Sequence, residues 1–306
     1  MFKIRLSSLQ KTILVLSITI AIFYFIFTKI DFYSVIAVLS HANHFYLLIA
    51  LLFSFIILLI AAKRWQTILA MMGYSLRYKE CFNLIMGALP LTSLTPSKSG
   101  DVIKAYYLKD KIPATVTAGS VLTERIFDVL TLVLFFLLGM TFCKKYESAG
   151  IAFLIFTFII ALFLLARASC KFHLPIKSSW NEKVQNVILA TRLVTEDKRA
   201  FSIILSYSLL IWFVSIVQTL LFFYAVDIKV PLLFTMANIP IAIFIGLIPV
   251  TLGGMGTRDA AIIFLFSGYA TPSQLLGVGI LFSVFRYWLL SLMGLPFMRK
   301  MMKNVS

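Results

Sequence analysis

Short clusters of ionisable residues lie where an apolar chain ordinarily carries none. Thr123-Glu124-Arg125-Ile126-Phe127-Asp128 runs directly into the apolar stretch Val129–Leu138. On a helix Glu124 and Asp128, four apart, share a face, and Arg125 can pair with Asp128 three residues on. Arg258-Asp259 follows Gly253-Gly254-Met255-Gly256, Arg286 stands alone inside Leu281–Leu290, and Lys63-Arg64-Trp65 ends another apolar stretch. A charge at the centre of a bilayer costs at least about 2.5–3.5 kcal/mol on insertion scales. Charges this dense must therefore face a bundle interior, each other or a polar cavity. Two chemistries fit. One is an intramembrane salt-bridge staple. The other is a contact between Arg125 and a headgroup phosphate, balanced by Glu124 and Asp128, since guanidinium offers phosphate a planar fork of donors.

The elements that position these charges are interrupted. Leu94-Thr95-Pro96-Ser97-Lys98-Ser99-Gly100-Asp101 is one break, with Lys104 three residues beyond it. Ile248-Pro249-Val250-Thr251-Leu252-Gly253-Gly254-Met255-Gly256-Thr257-Arg258-Asp259 is the other, 153 residues later. Each has Pro four residues before Gly and a carboxylate at or soon after it. Irregular backbone at membrane depth survives only when buried in protein or lining a wet cavity, and paired breaks in two halves of a chain point to a transport site. The first break is approached from the basic segment around Arg77 and Lys79, the second from the loop Asp227–Pro231, so re-entrant hairpins there would enter from opposite faces. The start after Gly256 also offers free N–H groups as an anion site.

Composition settles the class as all-α and polytopic. The chain is 61% hydrophobic, 13% charged and has a mean hydropathy of +0.98, against about 25% charge in a typical soluble domain. Spans are expected at Ile13–Thr28, Phe45–Ala62, Val116–Cys143, Ala149–Ala166, Phe201–Val226, Leu232–Val250 and Gln274–Met298, giving seven to eight crossings with the breaks included. The first is expected to be a retained helix, not a cleaved leader. No linker divides the chain, so residues 1–306 read as a single integral membrane domain. Segment 167–200 is its longest polar stretch, with Trp180, Val184, Val187, Ile188 and Leu193 at helical spacing for an interfacial helix.

The net charge of +16 would suit nucleic acid, but its distribution excludes that partner. Of 28 Lys and Arg, 21 fall in residues 1–11, 63–79, 98–111, 167–199 and 299–303, and only Lys29, Lys144, Lys145 and Lys229 fall in the opposite loops. This bias places both termini in the cytoplasm of an inner-membrane protein, with anionic phospholipid headgroups as partners of the basic rim. Cys81, Cys143 and Cys170 read as small buried hydrophobes. No zinc spacing, nucleophile elbow, phosphate loop or cofactor motif is present.

Taken in order, Pro96-x3-Gly100-Asp101-x2-Lys104-Ala105-x2-Leu108, Glu124-Arg125-x2-Asp128, Pro249-x3-Gly253-Gly254-x-Gly256-x-Arg258-Asp259 and Arg286 resemble the flippase-like membrane family. That family includes the membrane half of the lysylphosphatidylglycerol synthases. The resemblance runs from about Arg64 to Gly294. It departs at Leu252, where the family commonly has a second Pro, and at Asp259, where it has Glu. It implies translocation of an anionic or aminoacylated phospholipid or a polyprenyl-linked lipid, alone or beside a separate lipid-modifying synthase. Without the synthases' soluble aminoacyl-transferase domain, aminoacyl-lipid synthesis by this polypeptide is not expected. The competing expectation is a membrane glycosyltransferase or its accessory subunit, against which the lack of a nucleotide-sugar site argues. The resemblance implies a headgroup site built from Arg64, Gly100, Asp101, Lys104, Glu124, Arg125, Asp128, Gly253, Gly254, Gly256, Arg258, Asp259 and Arg286.

The loop bias makes topology testable. Reporter fusions at Ser306 and within Lys144–Glu147 are expected to lie on opposite sides of the membrane; the same side for both would contradict cytoplasmic termini.

Overall fold

The computed structural model describes residues 8–95, 100–101, 103–143, 192–194, 196–247 and 251–303. The expected span Ala149–Ala166, residues 167–191 of the expected interfacial helix, and Pro96, Lys98, Ser99 and Pro249 of the two breaks lie outside them. Among the described residues every regular element is helical. In chain order these are α1 Ser8–Lys29, α2 Phe32–Ser40, α3 His44–Met71, α4 Tyr78–Leu94, α5 Ile103–Tyr107, α6 Ala114–Cys143, α7 Lys198–Ala225, α8 Leu232–Leu247, α9 Thr257–Leu265, α10 Pro272–Ser283 and α11 Leu289–Lys303. A 3-10 turn, Leu252–Gly254, precedes α9, and a π-helical turn, Val284–Trp288, joins α10 to α11.

The helix starts are written in the sequence. Asp31, Asn43, Asp197 and Thr271 stand before α2, α3, α7 and α10 and accept hydrogen bonds from backbone N–H groups of the first turn, satisfying donors that have no partner within the helix. Pro272 at the first position of α10 removes one such donor. The long helices α3 and α7 are apolar on nearly every side, as a lipid environment requires. What separates their inner faces is small and polar side chains: Ala50, Ser54 and Ala62 on α3, and Ser208, Ser215 and Thr219 on α7, are all buried. With little hydrophobic drive between helices in lipid, close packing at small residues holds a bundle together.

Three seams organise the bundle: α3 along α7, α4 along α11, and α6 along α8. Helices α8, α9 and α10 follow one another in contact, and α2 rests on α10. The larger core cluster gathers α7, α8 and α10 around Phe222, Phe223, Phe266 and Leu275; a second joins α3, α4 and α11 around Trp65, Leu69 and Leu290. The ionic site lies between these clusters.

Among the described residues three helices are long and apolar enough to cross a membrane: His44–Met71, Lys198–Ala225 and the continuous Pro272–Lys303. A fourth arises if Thr19–Thr28 and Phe32–Ser40, bent by 92°, form one broken span. That is fewer than the seven to eight crossings expected. Two of the expected spans fall short for physical reasons, since α6 carries the Glu124-Arg125-Asp128 cluster and α8 has only 16 residues; Ala149–Ala166 lies outside the described residues.

The α6–α8 seam depends on Gly139. A Cβ there would stand 2.4 Å from the backbone nitrogen of Ala237 and 2.6 Å from its Cα, so even Ala forces two backbones apart. Gly139→Ala is expected to lower stability by about 1–3 kcal/mol. Gly268→Ala, which meets nothing within 4 Å, is expected to change it by less than about 0.5 kcal/mol. Thermal unfolding of the two variants in the same detergent checks the difference; equal midpoints would contradict close α6–α8 contact.

Candidate functional site

One face of α6 is polar. Thr117, Ser120, Glu124, Asp128 and Thr131, three or four residues apart, are all buried. From α3, Arg64 reaches this face: its Nη1 donates to Asp128 Oδ1 at 2.6 Å and to Ser208 Oγ of α7 at 2.9 Å, and its Nη2 donates to Glu124 Oε1 at 3.2 Å. Lys104 of α5 lies 3.5 Å from Glu124 Oε2 and 3.4 Å from Asp101 Oδ1, with its ammonium 4.9 Å from the ring centre of Trp65. Arg125 joins Asp101 Oδ2 at 3.0 Å and Asp128 Oδ2 at 3.4 Å. Trp212 of α7 donates to Asp128 Oδ1 at 3.0 Å.

The Arg125–Asp128 pair therefore forms at its expected spacing. Arg125's second carboxylate is Asp101 from the first break; Glu124 serves Arg64 and Lys104 instead. Arg64 and Lys104, counted by sequence among the cations of the basic rim, are interior residues, 4% and 3% exposed.

The first break returns upon α4. Gly100 N–H donates to Thr95 Oγ1 at 2.7 Å, Thr92 Oγ1 donates to Asp101 Oδ1 at 3.1 Å, and a Cβ on Gly100 would sit 2.4 Å from the Leu91 carbonyl carbon. In the second break Gly253, Gly254 and Gly256 have φ of 55°, 76° and 88°, the left-handed region that glycine enters without steric cost. A Cβ on Gly254 would stand 2.6 Å from Gly246 O, and one on Gly253 would stand 3.4 Å from Ser93 O. The two breaks thus touch through Gly253 and the end of α4.

At the helix start after Gly256, Asp259 Oδ2 accepts the Gly256 N–H at 2.9 Å. Asp259 Oδ1 takes Arg258 Nη2 at 2.8 Å, and the same Nη2 donates to Ser283 Oγ at 2.6 Å. The guanidinium lies over the Phe282 ring at 4.3 Å. Its Nη1 is buried with no hydrogen-bond partner among the described residues.

Arg286 was expected to find Asp101, Glu124, Asp128 or Asp259, and it meets none of them within ion-pair distance among the described residues. Its Nη1 lies 3.5 Å from the neutral Gln218 Oε1, and its guanidinium stands 5.6 Å from the centre of Phe282. The π-helical turn Val284–Trp288 carries it, and such turns are frequent at functional positions.

Two cavities meet at these residues. One, of about 40 Å³, is lined by Arg125, Asp128, Trp212, Gly253, Arg258 and Arg286 among others. The second, of about 130 Å³, lies towards Ser54, Arg64, Thr92, Asp101, Lys104 and Glu124. Arg125, Asp128, Trp212, Arg286 and Tyr287 line both. Of the residues singled out by sequence, Arg64, Asp101, Lys104, Glu124, Arg125, Asp128, Gly253, Arg258 and Arg286 line these two adjoining cavities, and Gly100, Gly254, Gly256 and Asp259 line neither. Ser208, Trp212, Gln218, Phe282 and Ser283 escaped that reading because none is charged. A signal existed in α7, where Ser208, Trp212, Ser215 and Thr219 follow the same three-and-four spacing as the polar face of α6.

Apolar helices, two glycine breaks and a buried ionic core define a polytopic helical membrane protein with an internal polar site. The chain belongs to the family described as the lysylphosphatidylglycerol synthase TM region, whose model matches residues 12–294. It is similar to a UPF0104 membrane protein of Methanocaldococcus jannaschii, 23% identical over 299 residues, covering 89% of this chain and 88% of that one. A UPF0104 membrane protein of Pyrococcus horikoshii is 26% identical over 305 residues, covering 85% and 88%. One from Methanothermobacter thermautotrophicus is 23% identical over 289 residues, covering 84% and 85%.

Burial decides how much each ion pair matters. Asp128→Asn strips both Arg64 and Arg125 of a shared carboxylate, and breaking a buried pair from one side costs roughly 3–5 kcal/mol. Lys111–Glu80, whose side chains are 62% and 41% exposed, is a surface pair worth about 0–1 kcal/mol. Asp128→Asn is expected to lower the unfolding midpoint well beyond Lys111→Ala; equal shifts would mean that water already solvates the network.

Proposed function

We propose that this protein moves a phosphate-bearing lipid between leaflets: an anionic or aminoacylated phospholipid, or a polyprenyl-linked lipid. The observation that supports this reading best is the convergence of Arg125, Arg258 and Arg286 on one cavity that Gly253 of the second helix break also lines. Phosphate is the chemistry that guanidinium clusters bind best, through planar, charge-assisted hydrogen bonds. In this reading the headgroup passes through the joined cavities while the acyl chains stay in the bilayer. The chain crosses seven or eight times, with re-entrant breaks entering from opposite faces of the inner membrane and both termini in the cytoplasm. A separate lipid-modifying synthase on the cytoplasmic side would supply or receive the lipid.

The buried Arg258–Asp259 pair shapes the test. Arg258→Gln alone strands a buried carboxylate and confuses folding with function. Arg258→Gln with Asp259→Asn removes both charges, and the Asn oxygen can still accept the Gly256 N–H. In proteoliposomes the double variant is expected to remain folded and to lose at least about tenfold in lipid translocation, the scale of a lost charge-assisted contact. Translocation at the native rate by the double variant would overturn the headgroup assignment.

A further inference from the structure

Resting on that headgroup reading, we infer that the cavity selects a phosphate headgroup without an ammonium group, and that Arg286 is the selecting residue. Among the described residues five cations surround the joined cavities, Arg64, Lys104, Arg125, Arg258 and Arg286, against four carboxylates, Asp101, Glu124, Asp128 and Asp259. One positive charge is left over.

The geometry locates the surplus at Arg286. Each of the other four cations lies within 3.5 Å of a carboxylate oxygen. Among the described residues Arg286 has only the neutral Gln218 Oε1 within hydrogen-bond distance, and that oxygen is held in place because Gln218 Nε2 donates to Ala50 O at 2.7 Å and to Ser54 Oγ at 2.6 Å. An anion entering the cavity completes the charge balance.

An ammonium group has no comparable welcome. Proteins hold ammonium with carboxylates or with open aromatic faces. All four carboxylates here already accept from Arg or Lys, and the Phe282 ring is flanked by Arg258 at 4.3 Å and Arg286 at 5.6 Å. A headgroup carrying lysine or choline would place its cation beside these guanidiniums, and like charges without a partner are the repulsive element that creates specificity.

The test uses the full-length protein in proteoliposomes with acyl-chain-labelled phosphatidylglycerol, phosphatidylcholine and lysyl-phosphatidylglycerol. Phosphatidylglycerol is expected to move at least about tenfold faster than either of the other two, a discrimination set by one repulsive contact. Arg286→Gln, checked for monodisperse elution, is expected to narrow that ratio to about threefold or less, and Arg286→Lys, which keeps the charge, to retain most of it. Equal native rates for the three lipids would overturn the selection and leave the headgroup reading standing. Movement of none of them would overturn the inference, and with it the phospholipid form of the headgroup reading. An unchanged ratio in folded Arg286→Gln would remove Arg286 from the role. Excess inorganic phosphate is expected to leave the phosphatidylglycerol rate intact; abolition of that rate would assign the site to free phosphate.

Discussion

Charge inside an apolar bundle must be cancelled or solvated, and the rest of this structure follows from how that is done. Four of the chain's twelve acidic residues lie in the interior site. Each is held by at least one cation from another element or from its own helix, so α3, α5, α6 and α7 are tied together through Arg64, Asp101, Lys104, Glu124, Asp128 and Ser208. Such a network adds little net stability, because desolvating each ion offsets most of the attraction. Its consequence is geometric: removing any one partner leaves the others buried and uncompensated, so the arrangement is fixed.

The helix breaks make that arrangement reachable. A straight helix keeps its own N–H and C=O groups bonded and leaves no room beside its backbone. At Gly100 and Gly254 the chain runs so close to neighbouring backbone that an added Cβ would stand 2.4 Å and 2.6 Å from it, and the freed groups find Thr95 Oγ1, Thr19 Oγ1 and Asp259 Oδ2. Thr251 and Thr257 close the second break through a hydroxyl pair at 3.1 Å. Contact between Gly253 and Ser93 O brings the breaks together, so the cavity is bounded by backbone that bulky side chains cannot invade.

Much of this could be read from the sequence, for identifiable reasons. The Arg125–Asp128 pair was legible because its members share a helix, and the glycine break because positive φ has few other tenants. Arg64 was harder: a basic residue beside Trp at a helix end looks like a surface anchor, and only the fold brings it to Asp128, 64 residues away. Lys104 misled in the same way. Gln218 and Ser283 carry no charge and sit among apolar neighbours, so nothing marked them individually. The π-helical turn under Arg286 leaves no trace in residue type, and without it the neutral environment of that arginine could not be foreseen. Gly139 against Ala237 likewise depends on two helices far apart in sequence.

The central claim is that, among the described residues, the interior holds one more cation than its carboxylates can neutralise and that a lipid phosphate completes the set. The most direct measurement is a high-resolution cryo-EM map of the protein in nanodiscs of phosphatidylglycerol. The account predicts phosphate density at hydrogen-bond distance, about 3 Å, from Arg286 and from Arg125 or Arg258. A cavity containing only water or an acyl chain, with Arg286 turned onto a carboxylate, would contradict it.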